Sequence, residues 1–249
     1  APVGYLLDSD DFCPPIRKSK SSNKGDYGHL AVISGEFSGA SVIAANAALR
    51  LGAGLVSIVS KERVEGGMCV MNKSTFPKGA NAVAVGQGLG DEYDFDEIAA
   101  AVSGRGVVLD ADLFKKSYIK NLLKLSPKAI LTPHPKEFSS LLSQTLGMDV
   151  GAGEIQSDRF GYAALFCKHY PEATLVLKGA NTIIGQNEQL FVMGLGSPAL
   201  AKGGSGDALC GVVGALLSQG YGSFEAAVNA VAAIYLSAKK YSGNDYSFT

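Results

Sequence analysis

The segment GGSGD at residues 203–207 combines residue types that suit the transfer of a phosphoryl group. Its glycines let several backbone N–H groups point the same way, and a helix predicted over 207–219 adds unpaired N–H groups and the positive end of its dipole. Together these groups suit an anion such as phosphate. Asp207 then lies beside that anion, where a carboxylate can take the proton of an attacking hydroxyl group. A plain helix cap at Asp207 is the alternative, and this segment alone leaves both interpretations open.

A second candidate segment is LTPHPKEF at residues 131–138, which carries an imidazole and a carboxylate directly after a predicted strand. Pro133 and Pro135 each fix one backbone angle, so we predict a rigid loop. A rigid loop that presents His134 and Glu137 suits a binding site better than a surface connection. The alternative for His134 is an ordinary loop histidine with its hydrogen bonds satisfied locally.

Three further turns carry small or polar residues. In LKGANT, Lys178 ends one predicted strand and Thr182 begins the next, with a glycine that permits close approach of a ligand; an ordinary β-turn is the alternative. In VLDAD, one of Asp110 and Asp112 is a candidate for orienting a substrate, and the other for capping the next helix. GEFSGA at residues 35–40 is a small-residue turn before a helix and a second place where a bulky anion could dock.

Short apolar runs alternate with helical patterns along most of the chain and would hold these turns. This alternation predicts an α/β fold with a mostly parallel sheet and helices on both faces, so the turns after the strands would meet at one edge. We expect an extended lead-in over 1–28 and one domain over 29–249, with GQNE as a hairpin turn that adds an antiparallel edge. We predict strands over 29–34, 55–60, 82–86, 128–132, 174–178, 182–185 and 189–193, and within GVVLDAD. We predict helices around 93–103, over 114–125, 207–219 and 223–241, and one from Ser38 or Ser41 to Gly52.

Composition and missing motifs exclude several classes of protein. The formal net charge of −1 gives no reason to expect nucleic acid or an anionic membrane as a partner, and no apolar run approaches the length of about 20 residues that a membrane helix needs. The scattered cysteines indicate incidental thiols in a reducing compartment, so we expect a cytoplasmic protein without a zinc site. The fingerprints of the common phosphate loop, the dinucleotide-binding fold and the hydrolase elbow are all missing.

Taken together, the motifs resemble the ADP- or ATP-dependent NAD(P)H-hydrate dehydratases. KGDYGHLAVISG, VGQGLG, LDAD, LTPHPKEF, VLKGANT and SPALAKGGSGD follow one another in the order seen in that family, from Lys24 to the C-terminal helices. GGSGD alone would indicate only the ribokinase-like superfamily. The resemblance implies a ribokinase-like three-layer sandwich and a metabolite-repair enzyme. Such an enzyme phosphorylates the hydroxyl group of (6S)-NAD(P)HX, the damaged hydrate of NADH or NADPH, and eliminates phosphate to restore the cofactor.

The resemblance also implies a role for each matching position. Asp207 would be the catalytic base and a contact to the hydrated nicotinamide, Glu137 would organise Mg²⁺ and water, and ADP or ATP would be the co-substrate. Further substrate contacts are expected at Ala40, Gly88, His134 and Asp110. Nucleotide contacts are expected at Lys178, Gly179, Ala180, Asn181, Thr182, Gly203, Gly204, Ser205 and Gly206.

Several points stay open at this stage. Many relatives have proline where this chain has Gln87 and asparagine where it has Ser197, which puts the contacts near these two turns in doubt. The resemblance does not separate ADP from ATP, or the hydrate of NADH from that of NADPH. It implies a homo-oligomer, a tetramer or larger, and it fits both a single-domain protein and the C-terminal half of a chain with an N-terminal NAD(P)HX epimerase.

Two other functions share some of these features. A ribokinase-like kinase that phosphorylates a small alcohol would use the same GGSGD segment and the same base, but it would release a stable phosphorylated product. A nucleotide-binding regulator without catalysis would gain nothing from the carboxylate of Asp207 beside a phosphate site.

Overall fold

A mixed sheet of ten strands forms the centre of the computed structural model, which describes residues 4–17, 19–67 and 69–239. The order across the sheet is β1-β10-β9-β8-β7-β6-β5-β2-β3-β4, and β9 alone runs antiparallel to its neighbours. The strands are β1 (Tyr5–Leu7), β2 (His29–Ile33), β3 (Leu55–Val59), β4 (Met71–Lys73), β5 (Ala82–Val85), β6 (Gly106–Leu109), β7 (Ile130–Leu131), β8 (Thr174–Leu177), β9 (Thr182–Gln186) and β10 (Gln189–Met193).

Helices cover both faces of this sheet. Alternate residues of a strand point to opposite faces; on β8, Val176 belongs to one apolar cluster, whereas Leu175 and Leu177 belong to the other. The first cluster contains buried residues of α1, α7 and α8, and the second contains those of α2 to α6. The helices are α1 (Ser38–Arg50), α2 (Phe95–Val102), α3 (Ile119–Leu125), α4 (Pro135–Leu146), α5 (Ala152–Ser157), α6 (Arg159–His169), α7 (Ser205–Ser218) and α8 (Ser223–Lys239). The predicted α/β fold with a mostly parallel sheet between two helical layers is therefore confirmed.

Helices α1 and α7 lie side by side and run in the same direction. A side-chain carbon at Gly211 of α7 would lie 2.0 Å from the carbonyl oxygen of Ala44 in α1, so this crossing requires glycine. At the far ends of the two helices, Gly52 approaches the amide oxygen of Gln219. The first turns of α1 and α7 therefore begin next to each other at the carboxyl edge of the sheet.

The sequence-based boundaries hold for most elements and are wrong in a few. The hairpin of β9 and β10 is confirmed, but β1 pairs with β10, so the hairpin is not the edge of the sheet. The helix predicted over 114–125 begins only at Ile119, after a 3₁₀ turn over Ala111–Lys115. The rigid loop predicted over 131–138 is wrong, because Pro135 is the first residue of α4.

Two sequence-based predictions are not tested by the structure. Residues 240–241 of the last predicted helix lie outside the described residues. The division of the chain at residue 28 stays a prediction. No helix in the described ranges is long and apolar enough to cross a membrane.

Candidate active site

The turns singled out in the sequence lie at the carboxyl edge of the parallel strands. Asp110 follows β6, His134 follows β7 and Lys178 follows β8, and these three strands are neighbours in the sheet. Helix α7 packs across β2, β5 and β6 and brings its own first turn to the same edge. The fold therefore assembles the candidate site from segments that are distant in sequence.

Asp207 is not a helix cap. Helix α7 begins at Ser205, and its cap is Gly204, whose φ of +89° places it in the left-handed region that favours glycine. Asp207 is the third residue of the helix, and no described residue donates a hydrogen bond to its half-buried carboxylate. Burial and the nearby Asp110 carboxylate raise the pKa of Asp207, although Lys178 opposes the rise. A carboxylate with a raised pKa is a better proton acceptor, so the environment of Asp207 suits a general base.

Lys178 joins two acidic side chains at the floor of the site. Its Nζ lies 3.2 Å from Oδ1 of Asp110 and 3.3 Å from Oε2 of Glu137. Burial works against the charge on Lys178, but the two carboxylates outweigh it and raise the pKa of the ammonium group. Lys178 is thus held as a cation close to Asp207, in a position suited to stabilise negative charge on a phosphoryl group.

Asp110 is the most buried ionisable side chain of this group, with 2% of its surface exposed. Its Oδ1 accepts a hydrogen bond of 2.8 Å from Oγ1 of Thr132 and also contacts Lys178. Burial raises the pKa of Asp110, whereas the Lys178 ammonium lowers it. These contacts make Asp110 a residue that fixes Lys178; its expected contact with the substrate stays a prediction.

His134 and Glu137 form a reciprocal cap at the start of α4. Nδ1 of His134 accepts hydrogen bonds from the backbone N–H groups of Lys136 and Glu137, and Oε2 of Glu137 accepts one of 2.8 Å from the N–H of His134. The imidazole Nε2 lies 3.3 Å from Oε1 of Glu137. His134 therefore caps α4 with locally satisfied hydrogen bonds, as the alternative interpretation of this residue expected. Its expected contact with the substrate is untested by this geometry and stays a prediction.

A cleft with a volume of about 620 Å³ lies beside Lys178. Of the residues expected to bind nucleotide, seven line this cleft and two, Gly203 and Gly204, do not. The seven are Lys178, Gly179, Ala180, Asn181, Thr182, Ser205 and Gly206. The rest of the lining is mostly apolar and includes Pro198, Leu200, Leu209, Val231, Ile234 and Tyr235. A lining that combines a polar turn with apolar side chains suits a nucleotide, whose phosphates need donors and whose base needs apolar contacts.

Arg159 holds the backbone of the turn that lines this cleft, and the sequence did not indicate this role. Its guanidinium group donates hydrogen bonds to the carbonyl oxygens of Leu177, Lys178 and Asn181, at 3.0, 3.3 and 2.9 Å. Tyr235 donates a further hydrogen bond to the carbonyl oxygen of Gly179. Because these groups bind the backbone from remote helices, only the folded structure shows that Arg159 fixes the turn.

Gly88 contacts Phe37, the residue before α1, and Ala40 lies in the first turn of that helix. Gly88 has a φ of +61°, and its carbonyl oxygen accepts a hydrogen bond of 3.0 Å from the N–H of Phe37. A side-chain carbon at Gly88 would lie 2.5 Å from the carbonyl oxygen of Phe37. Ala40 lies in the first turn of α1, beside the first turn of α7 that carries Asp207. The structure thus brings both expected substrate contacts to the neighbourhood of the candidate base.

The two departures from the family pattern have local partners. Gln87 is fully buried. Its side-chain amide donates to the carbonyl oxygen of Ala84, and its Oε1 accepts a hydrogen bond of 3.5 Å from the Cys210 thiol in α7. Ser197 lines the nucleotide cleft and accepts a hydrogen bond of 3.3 Å from the N–H of Ala199. Both turns are therefore anchored without the proline and the asparagine.

The acidic residues do not form a magnesium cage of their own. The described part of the chain contains no group of three or more Asp, Glu, His or Cys side chains placed to hold a metal ion. Oε2 of Glu137 contacts the backbone N–H of His134 and the Lys178 ammonium group. Its Oε1 lies near the His134 imidazole. Mg²⁺ usually keeps several waters and binds through one or two carboxylates and substrate phosphates. The site therefore fits an ion that arrives with nucleotide phosphates, and the expected role of Glu137 toward Mg²⁺ stays a prediction.

Comparison with known proteins identifies the family of the chain. A family model described as NAD(P)H-hydrate dehydratase matches residues 30–248. The chain belongs to the NAD(P)H-hydrate dehydratase family. It is 40% identical to the bifunctional NAD(P)H-hydrate repair enzyme Nnr of Helicobacter pylori, over 98% of this chain and 52% of that protein. The chain therefore spans about half the length of this curated relative.

Two more similar proteins of the NAD(P)H-hydrate dehydratase family carry the single activity in their names. The chain is 35% identical to the ADP-dependent (S)-NAD(P)H-hydrate dehydratase of Neisseria meningitidis, over 84% of this chain and 76% of that one. It also superposes on the ADP/ATP-dependent NAD(P)H-hydrate dehydratase of Bacillus subtilis, which was co-crystallised with ATP and Mg²⁺. That match has a TM-score of 0.71 and 27% identity, and it covers 92% of this chain and 85% of the other.

Proposed function

We propose that this chain dehydrates (6S)-NAD(P)HX to NAD(P)H, with ADP or ATP as phosphoryl donor. The observation that carries the proposal is the position of Asp207. It lies in the first turn of α7 with no capping function, next to Lys178 and to a cleft of nucleotide size. Family membership supports the substrate, and the names of the relatives support the phosphoryl donor.

The chemistry follows from what each side chain can do. Asp207 takes the proton of the hydroxyl group as its oxygen attacks the terminal phosphorus of the nucleotide. The N–H groups of Ser205 and Gly206 at the start of α7 donate hydrogen bonds to the transferred phosphoryl group. The Lys178 ammonium, held by Asp110 and Glu137, balances the charge that collects there. The phosphate ester is then a much better leaving group than hydroxide, and loss of phosphate together with a proton from the adjacent ring carbon restores the double bond of the ring.

Magnesium would belong to the phosphate side of this arrangement. When bound, Mg²⁺ neutralises charge on the nucleotide phosphates. We propose Glu137 as the residue that holds the ion through water.

Further features of the family remain proposals for this chain. We propose that a longer parent protein carries an N-terminal epimerase, because the chain covers 52% of the bifunctional relative from Helicobacter pylori. A homo-oligomer, a tetramer or larger, and a cytoplasmic location are proposed on the basis of the sequence alone.

A coupled assay tests the proposed activity. The purified protein is mixed with NADHX, Mg²⁺ and either ADP or ATP, and the return of NADH absorbance is followed together with the release of inorganic phosphate. We expect one phosphate per NADH and no reaction without nucleotide. A stable phosphorylated alcohol in place of NADH would instead identify a small-molecule kinase, and nucleotide binding with no reaction would identify a regulator.

A further inference from the structure

A second cleft, with a volume of about 600 Å³, opens at the carboxyl ends of β2 and β3. Ser34, Glu36, Ser38, Ser60, Glu62 and Arg63 are among the residues that line it. None of its lining residues belongs to the nucleotide cleft, which lies at the end of β8. Its volume is in the range of small-molecule sites.

This second cleft begins where the proposed substrate contacts end. Ser38 lines it, and Ala40 lies two residues further along the first turn of α1, beside Asp207 in α7. Glu36 lines it as well, directly before Phe37, which binds Gly88. Along the edge of the sheet, the nucleotide cleft therefore comes first. It is followed by Asp207, by the expected contacts at Ala40 and Gly88, and then by the second cleft.

The substrate that we propose is a dinucleotide, and only one of its halves reacts. When its nicotinamide ring lies at Asp207, the co-substrate occupies the cleft beside Lys178, so the adenosine half must extend the other way. The second cleft is on that side.

The charge of the second cleft distinguishes two forms of the adenosine half. Lys61 and Arg63 are the two cations of its lining; Nζ of Lys61 donates to the carbonyl oxygen of Glu92 at 2.6 Å and lies 3.4 Å from the Glu97 carboxylate. Asp91 forms an ion pair with Lys116. Against these two cations the lining carries four carboxylates, those of Glu36, Glu62, Asp91 and Glu92, so the cleft is acidic.

The Glu36 carboxylate is oriented by the backbone. Its Oε1 accepts a hydrogen bond of 3.0 Å from the N–H of Asp91. Gly90 leaves the space that this carboxylate needs, because a side-chain carbon there would lie 2.3 Å from Cδ of Glu36. No hydrogen bond from a described residue reaches the other oxygen, Oε2, which can therefore accept one from a ligand.

We propose that the second cleft binds the adenosine half of the substrate and that Glu36 accepts a hydrogen bond from its ribose 2′-hydroxyl group. This inference rests on the proposed function. A carboxylate that reads the 2′-hydroxyl selects the NAD form in dinucleotide-binding proteins. A 2′-phosphate would bring roughly two negative charges toward an acidic wall and remove the donor that Glu36 binds. The chain is therefore selective for NADHX over NADPHX.

Isothermal titration with NADHX and NADPHX, without ADP or ATP, tests this selectivity because no turnover occurs. We expect the wild-type protein to bind NADHX about tenfold more tightly than NADPHX, which corresponds to about 1.4 kcal/mol. Glu36→Gln keeps the shape of the side chain and removes its charge, so we expect the ratio to fall below about threefold. Glu188→Gln, in the exposed β9–β10 turn, is the matched control and should leave the ratio unchanged. Thermal melts of all proteins confirm that they are folded.

The possible failures are distinguishable. Equal affinity of the wild-type protein for both hydrates, or an unchanged ratio in Glu36→Gln, would overturn this inference and leave the proposed function intact. Preference for NADPHX that disappears in Arg63→Gln would also overturn it, because the cleft would then bind the 2′-phosphate through Arg63. Binding of neither hydrate, by a protein that still binds ADP, would overturn the proposed function and this inference with it.

Discussion

Replacing Lys178 by methionine tests how the buried charges at the floor of the site are balanced. The variant keeps an apolar stem and removes the ammonium group that lies 3.2 Å from Asp110 and 3.3 Å from Glu137. Removing one partner of a buried ion pair typically costs 3–5 kcal/mol, whereas exposed pairs contribute little. Since 19% of the Lys178 side chain and 2% of Asp110 are exposed, we expect a loss of about 3 kcal/mol at pH 8.

The loss should depend on pH in a direction set by Asp110. Burial already raises the pKa of Asp110 and Lys178 lowers it, so removing Lys178 raises that pKa further above the unfolded value of about 3.9. Between the two pKa values the folded state binds more protons than the unfolded state, so its stability falls as pH rises. The difference between variant and wild type should therefore be small near pH 4 and largest at pH 8.

Urea unfolding followed by circular dichroism at pH 5 and pH 8 measures this difference. We expect the double variant Lys178→Met, Asp110→Asn to recover most of the lost stability at pH 8, because the unpaired carboxylate is gone, and to remain without activity. Lys136→Met, an exposed lysine on α4, is the control and should change stability by less than about 0.5 kcal/mol. An equal loss at both pH values, with no recovery in the double variant, would refute the ion-pair argument.

Three other substitutions give distinct results. Gly206→Ala should keep the fold but weaken ADP binding, because Gly206 has no positive φ and the added carbon would lie 3.3 Å from Nζ of Lys178, which would have to move by only a few tenths of an ångström. A melting temperature lowered without ligand, with an unchanged ADP-induced shift, would contradict this. His134→Ala should lower the free energy of urea unfolding by about 1 kcal/mol, because the α4 cap is lost. It should also raise KM for NADHX about tenfold to a hundredfold and leave the nucleotide KM within about twofold. A rise in the nucleotide KM instead would place His134 in the other half of the site. Arg159→Lys should raise KM for the nucleotide more than it changes kcat, because lysine cannot donate to three carbonyl oxygens of the turn at once. An unaltered nucleotide KM in steady-state kinetics would exclude this positioning role.

The parallel strands were predictable because they are buried on both faces. β2 and β5 are entirely buried and read as continuous apolar runs, which is typical of parallel sheets. β1 escaped prediction because it has three residues in a polar segment, two of them exposed. Its place in the sheet depends on pairing with β10, which no local pattern shows.

The start of α4 shows why local rules misled. Two prolines around His134 suggested a stiff loop, yet proline is well suited to the first residue of a helix. The cap is a histidine, which is not among the residues preferred there. The signals for a helix start were Pro135 at the first position and Glu137 three residues after His134.

The individual residues of the candidate site were predictable from turn chemistry, but their contacts were not. Lys178, Asp110 and Glu137 meet because β6, β7 and β8 are neighbours, and strand order is a property of the whole fold. Arg159 and Tyr235 act on backbone atoms from remote helices, so their type and spacing carry no signal.

The most direct test of the account is the Asp207→Asn variant, measured for ADP binding by titration and for turnover of NADHX. The amide cannot take the hydroxyl proton but fills the same space, so we expect kcat to fall by about 10² to 10⁴ and the affinity for ADP to stay within about threefold. Asp149→Asn, at an exposed aspartate between α4 and α5, is the matched control and should keep wild-type turnover. Near-normal turnover of Asp207→Asn would contradict the assignment of Asp207 as the base and, with it, the mechanism derived from this site.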